Sequence, residues 1–378
     1  MKNKLTLLFI PFVLFTTVSC AKTDKKLEVK DILVKHETEF DSIYITLTID
    51  EFKGKGFKFG DSVNVSFSNG DVFEDVPFYD GYYTQTGEVG LIGYQGYPYI
   101  TLATNNVGHF WQNSGLTEED TASIVLNEKE KYIINQETFS MHYEDDRNKY
   151  STDQEFGNYR PLRGGAIDED AIYRGASPID NVHKRASYCD DYLEENDINF
   201  VLNLSNTTTT FEANLIKEDF DSPYVKGLYE AGKVACVGLS MDYKGRDFKV
   251  KLCNGLKEMV KYPAPYYVHC TEGKDRTGFV CLLLEALVSG NYETMKNDYM
   301  KTYENYYGVT EDKEKQKYDA IVSLRFDDFC SYLYNSDNLT VLKKANYSEA
   351  ASDYLMDGGM TREEILQLIW NISHNLTD

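Results

Sequence analysis

The segment His269 to Gly278, HCTEGKDRTG, sets a thiol at Cys270 and a guanidinium at Arg276 six positions apart, with a glycine between them. A Cys and an Arg at that spacing arise by chance in many chains, so the flanks decide. Tyr266 to His269 reads as a buried strand and Thr277 to Ser289 as an apolar helix, which puts the loop at a helix N-terminus. Backbone N–H groups at such a junction converge on one point and, with the helix dipole, suit a phosphate dianion. The same groups favour a thiolate at Cys270. Arg276 can fold back and grip two phosphate oxygens in a bidentate fork, a geometry that lysine does not match. The implied chemistry is in-line displacement at phosphorus, with Cys270 taking up the phosphoryl group and water later releasing it. The plain alternative is one more buried thiol beside an ordinary turn glycine; the order strand, loop, helix weighs against it.

The elements that must position this loop follow an α/β grammar from residue 156 onward. Ile198 to Leu204, Val234 to Leu239 and Tyr266 to His269 read as buried strands, with a helix over Phe248 to Tyr262 between the last two. A final helix opens on a capping box, Thr361 with Glu364, and carries Ile365, Leu366, Leu368, Ile369 and Ile372 on its apolar face. The expected catalytic unit is therefore a mainly parallel central sheet flanked by helices. Ahead of it the pattern is β: Ser42 to Ile49 and Ser62 to Ser68 alternate, and turns such as Asn69-Gly70 separate them. A small all-β domain over residues 21–140 is expected, a sandwich or barrel, then a polar linker over 141–155 and the catalytic domain over 156–378.

The chain has 378 residues, and 39 Lys and Arg against 61 Asp and Glu give a net charge of −22. That balance argues against a protein that coats nucleic acid by neutralising phosphates. It argues equally against charge-driven attachment to anionic lipid. Residues 1–20 combine Lys2 and Lys4, an apolar stretch from Leu5 to Val18, and Ser19-Cys20. The stretch is shorter than the roughly 20 residues of a membrane-spanning helix, so it reads as a secretory signal. Its ending resembles a bacterial lipobox, which implies lipidation at Cys20 and an exported protein held to the cell membrane. The other cysteines, at 189, 236, 253, 270, 281 and 330, form no CxxC pair and suit free thiols. No metal-ligand motif appears, and neither a metal nor a cofactor is expected.

The loop HCTEGKDRTG resembles that of the protein tyrosine phosphatase superfamily, and more narrowly the bacterial secreted tyrosine and lipid phosphatases with HCxxGKDRTG. Asn158 to Gly165 (NYRPLRGG), Ile172 to Pro178 (IYRGASP), Asp298-Tyr299 and Tyr354 to Ile365 carry the resemblance further. It implies a phosphatase acting on phosphotyrosine, with Cys270 as nucleophile and Arg276 as transition-state clamp. Thr271, Glu272, Gly273, Lys274, Asp275 and Arg276 would bind phosphate. His269 would orient the loop and lower the thiol pKa, and Thr277 would hydrogen-bond the leaving thiolate. Asp242, on the stretch Gly238 to Asp247 and 28 residues before Cys270, is the expected general acid, with Asp247 and Asp275 as rivals. Lys244, Arg246, Lys249 and Lys251 form a basic cluster able to attract an anion, or simply a solvated helix face. The family's strand-end Asp-Leu-Arg is replaced here by Asn203-Leu204-Ser205, which removes any ionic contacts made there. Two other readings stand: a phosphoinositide or inositol-phosphate phosphatase, suggested by Lys274, and a phospho-ligand-binding pseudoenzyme.

Overall fold

The computed structural model describes residues 27–105 and 108–374. Cys20 and the leader lie outside the described residues. Among the described residues no helix is long and apolar enough to cross a membrane.

Seven strands, β1 (Glu28–Glu37), β2 (Ser42–Ile45), β3 (Ser62–Phe67), β4 (Val72–Tyr79), β5 (Val89–Ile92), β6 (Ile100–Thr104) and β7 (Thr121–Glu128), close into a barrel in the order β1-β2-β6-β5-β4-β3-β7. All neighbours are antiparallel except β4 and β5. Alternation decides which side chains enter: Val63, Val65 and Phe67 point inward from β3 and meet Phe52, Phe78 and Ile124. The β3–β4 hairpin turns where Gly70 takes φ of 100°, and the Asn69 side chain accepts from the Asp71 amide. The alternation from Ser42 to Ile49 predicts one strand, but β2 stops at Ile45. Thr48 and Glu51 cap each other and start the helix Ile49–Gly54, so a local cap overrides the period-two pattern.

The second sheet runs β11-β10-β12-β9-β8, built from β8 (Arg160–Pro161), β9 (Ile172–Gly175), β10 (Phe200–Asn203), β11 (Val234–Cys236) and β12 (Tyr266–His269). The four strands β11, β10, β12 and β9 are parallel and the edge strand β8 is antiparallel. Every residue of β9, β10 and β12 is buried, as strands covered on both faces require. The helix Asp275–Leu287 leaves β12 through the central loop and is buried from Thr277 to Leu287. The terminal helix Arg362–Ile372 is capped by Thr361 and Glu364.

The polar stretch at 141–155 lies against this unit. Asp145 reaches the fully buried Arg185 at 2.6 Å, and the Tyr143 ring stacks on Tyr306 at 4.8 Å. The barrel is held by Arg325, on a widened helical turn over Val322–Phe326. Its guanidinium donates to Thr84 O at 3.2 Å and Tyr83 O at 3.3 Å and covers the Phe139 ring at 4.4 Å.

Candidate active site

The loop between β12 and the helix at Asp275 is held from outside by its carbonyls. His269 Nδ1 donates to Cys270 O at 3.1 Å, the Ser177 amide to Thr271 O at 3.1 Å, and the Tyr306 hydroxyl to Glu272 O at 2.7 Å. Gly273 O accepts from Arg174 Nη2 at 2.9 Å and from Asn158 Nδ2 at 3.2 Å. With the carbonyls so engaged, none of the amides of residues 271–274 donates to another group of the chain among the described residues. Those amides and the unpaired N–H groups of the helix's first turn make a concave donor set. Gly273 takes φ of 69°, and a Cβ there would lie 2.2 Å from Gly175 O, so the loop's path requires glycine.

Behind the loop lies a buried charge cluster. Asp298 bridges Arg160, at 3.1 Å, and Arg174, which turns its other amino group to Gly273 O. Burial opposes a charge on Asp298, yet Arg174 and Arg160 hold its carboxyl below the usual range. Burial first, and Asp298 second, push the Glu285 carboxyl well above its ordinary value.

Cys270 is nearly buried, with 3% of its surface exposed. The five other described cysteines are also free, and burial raises each of their pKa values, to about 12 for Cys189, Cys236 and Cys281. His269 is fully buried and its pKa is pushed down to about 4 by desolvation, against a small upward effect of its bond to Cys270 O. It is neutral at pH 7 and orients the loop, but it brings no charge that would lower the thiol pKa. Thr277 Oγ1 is buried with no hydrogen-bond partner, at the third position of the helix. Arg276 spans two elements, donating to Leu239 O at 3.2 Å and to Thr271 Oγ1 at 3.4 Å.

Lys274 faces Glu272 at 3.2 Å, Asp275 at 3.8 Å and the Tyr307 hydroxyl at 3.4 Å. Burial would lower its pKa, but Asp275 and Glu272 outweigh this and hold it well above its ordinary value. The three candidate acids part here. The Asp242 backbone follows Leu239 toward Arg276, but its carboxylate folds over its own turn, where a Cβ on Gly245 would meet Oδ2 at 2.2 Å. Asp247 is exposed and pairs with Lys251 at 2.7 Å. Asp275 lines a cleft beside the loop. Lys244 and Lys249 are paired like Lys251, with Asp328 and Asp357, so the basic cluster is largely neutralised. At the strand end, Asn203 Oδ1 accepts the amides of Ser205 and Asn206, a hydrogen-bonded turn in place of an ionic one.

The cleft has a volume of about 310 Å³ and opens between barrel and catalytic domain. Tyr82 and Tyr83 of the barrel line it with Met241, Tyr243, Tyr303 and Tyr307, around Lys274 and Asp275. Sequence reasoning missed the barrel's share, because Tyr82 and Tyr83 sit in a chain segment with no chemical motif. Among the described residues no group of three or more His, Cys, Asp or Glu is arranged to hold a metal ion.

Residues 246–372, which contain the loop and the helices behind it, match the model of a family described as a tyrosine phosphatase family. No curated protein matches the chain.

Proposed function

Because residues 246–372 match a tyrosine phosphatase family, we propose that the protein is a cysteine-dependent phosphomonoester hydrolase acting on phosphotyrosine. The observation that carries this reading is the donor set of residues 271–274, its carbonyls tied outward and its amides unpaired, between Cys270 and Arg276. The Cys270 thiolate attacks phosphorus in line, an S–P bond forms, and the P–O bond to the phenol breaks. Charge on the equatorial oxygens is met by the loop amides and by Arg276 in a site that needs no rearrangement. Water then attacks the phosphocysteine, the P–S bond breaks, and the thiolate is received by the Thr277 hydroxyl, which has no other partner.

The phenolate must gain a proton as it leaves, and the attacking water must lose one. We assign this donor and acceptor role to Asp275, which lines the cleft beside the loop, while the Asp242 carboxylate is turned onto Gly245. Replacing Asp275 by Asn removes the basic limb of the kcat/KM–pH profile under this assignment, because a general acid must be protonated to act. Loss of that limb in Asp242→Asn alone overturns it and restores the first expectation.

The cleft favours an aromatic ester over a polyphosphorylated inositol. Five tyrosines and two phenylalanines line it, and Lys274 already faces two carboxylates. Rates on a phosphotyrosine peptide and on inositol phosphates, measured side by side, test this; faster turnover of the latter refutes it. Hydrolysis no greater than that of Cys270→Ser would leave a phospho-ligand-binding protein. We further propose that the enzyme works outside the cell, anchored by lipid on Cys20. Mass analysis of the mature N-terminus checks it, and an unmodified Cys20 refutes it.

A further inference from the structure

A second cavity, of about 810 Å³, opens on the barrel. Its walls include Phe40, Tyr94 and Tyr97, with carboxylates from Glu39 and Asp41. Phe40 and Tyr94 are about half exposed, at 53% and 48%, and the Tyr94 and Tyr97 rings stand 5.3 Å apart at an angle of 57°. Asp41 Oδ1 meets His36 Nε2 at 2.6 Å, while Oδ2 has no hydrogen bond, its nearest basic side chain being the exposed His109 at 3.8 Å. Beneath them Glu37 accepts the amides of Glu39 and Phe40, which stiffens the turn and adds a third negative charge. Among the described residues neither Lys nor Arg lines this cavity.

Ring faces and carboxylates without a competing lysine or arginine match one chemistry, a flat or alkyl-bodied cation. Tyr82 and Asn105 line both this cavity and the cleft beside Lys274, so the two adjoin. We infer that the barrel supplies a specificity subsite for the phosphatase, taking an arginine or lysine side chain that flanks the phosphotyrosine on the same peptide. This rests on the phosphotyrosine reading and extends it: the barrel selects which phosphopeptides reach Cys270. The net charge of −22 draws such basic peptides in and disfavours acidic ones.

The test uses phosphotyrosine peptides in which a single arginine is moved along the flanking positions of an otherwise alanine-rich sequence. The full chain is expected to show about tenfold higher kcat/KM at one or two positions than for the arginine-free peptide. Tyr94→Ala, and separately Glu39→Gln with Asp41→Asn, should abolish that preference and leave 4-nitrophenyl phosphate hydrolysis unchanged. Asp41 has φ of 57°, which asparagine tolerates, so the second variant alters charge without straining the turn. Equal rates at every arginine position overturn the inference, as does an equal loss on peptide and nitrophenyl ester. Inhibition by a neutral oligosaccharide that depends on Tyr94, without an arginine effect, also overturns it and marks a sugar site. If wild type fails to hydrolyse 4-nitrophenyl phosphate, it is the catalytic reading that falls. The subsite is then judged by whether Cys270→Ser binds the arginine peptide more tightly than the alanine one.

Discussion

Replacing Gly273 by alanine tests whether loop geometry, and not merely the presence of Cys270 and Arg276, makes the site. The new Cβ would lie 2.2 Å from Gly175 O and 2.3 Å from its carbonyl carbon, both backbone atoms. Ordinary contact begins near 3.4 Å, so a displacement on the order of 1 Å is needed. Gly175 cannot yield it: its strand pairs with β12, and the Tyr267 hydroxyl and Gly157 O crowd its other side. The loop must therefore move, carrying Gly273 O away from Arg174 and Asn158. A left-handed alanine adds about 1–2 kcal/mol of backbone strain. At about 2–4 °C per kcal/mol for a domain of this size, Tm should fall by roughly 2–8 °C. A misplacement of about 1 Å costs on the order of a hundredfold in rate. The assay is kcat/KM on 4-nitrophenyl phosphate with a melting curve on the same preparation. Thr271→Ala serves as control, since its hydroxyl makes only the 3.4 Å contact to Arg276 and its loss should cost little. A Gly273→Ala protein that is folded and within threefold of wild-type activity would refute the argument.

Two further predictions concern buried ionisable groups. Glu285 has a folded pKa raised above its unfolded value, so above the ordinary carboxylate range the folded state holds a proton that the unfolded state gives up, and stability is lost as pH rises. Glu285→Gln should accordingly stabilise the protein at pH 8 more than at pH 5, and a destabilisation that does not vary with pH would show the reasoning wrong. His269 has the opposite dependence. Its pKa falls from 6.5 to about 4 on folding, so its contribution is complete above 6.5 and drains away as pH drops toward 4. Denaturant titrations of wild type and His269→Asn across that window should differ in slope; parallel curves would mean that His269 is charged.

Much of the site was legible because it is contiguous. Strand, loop and helix follow one another over Tyr266 to Leu287, and burial of the flanks is written in local hydrophobicity. The terminal capping box was equally local, and Thr361 and Glu364 meet as expected. The four elements that hold the loop's carbonyls were not legible as such. Asn158, Arg174, Ser177 and Tyr306 come from distant stretches, and nothing in their spacing tells which atom each will meet. Asp242 shows the limit from the other side: its position in the chain suits a general acid, but the direction of its side chain is set by a turn around Gly245.

By itself, then, the sequence determined the candidate pair and its spacing. Cys270 and Arg276 are six residues apart, and a strand-to-helix junction brings them together with few degrees of freedom. It also determined the order of domains, since hydrophobic periodicity is a local property. Only the tertiary structure decided that His269 is neutral, that Asp275 shares a cleft with Lys274, and that barrel tyrosines line that cleft. The physical reason is common to all three. Desolvation, side-chain direction and domain docking depend on which distant segments exclude water at a point, and no window of adjacent residues carries that information.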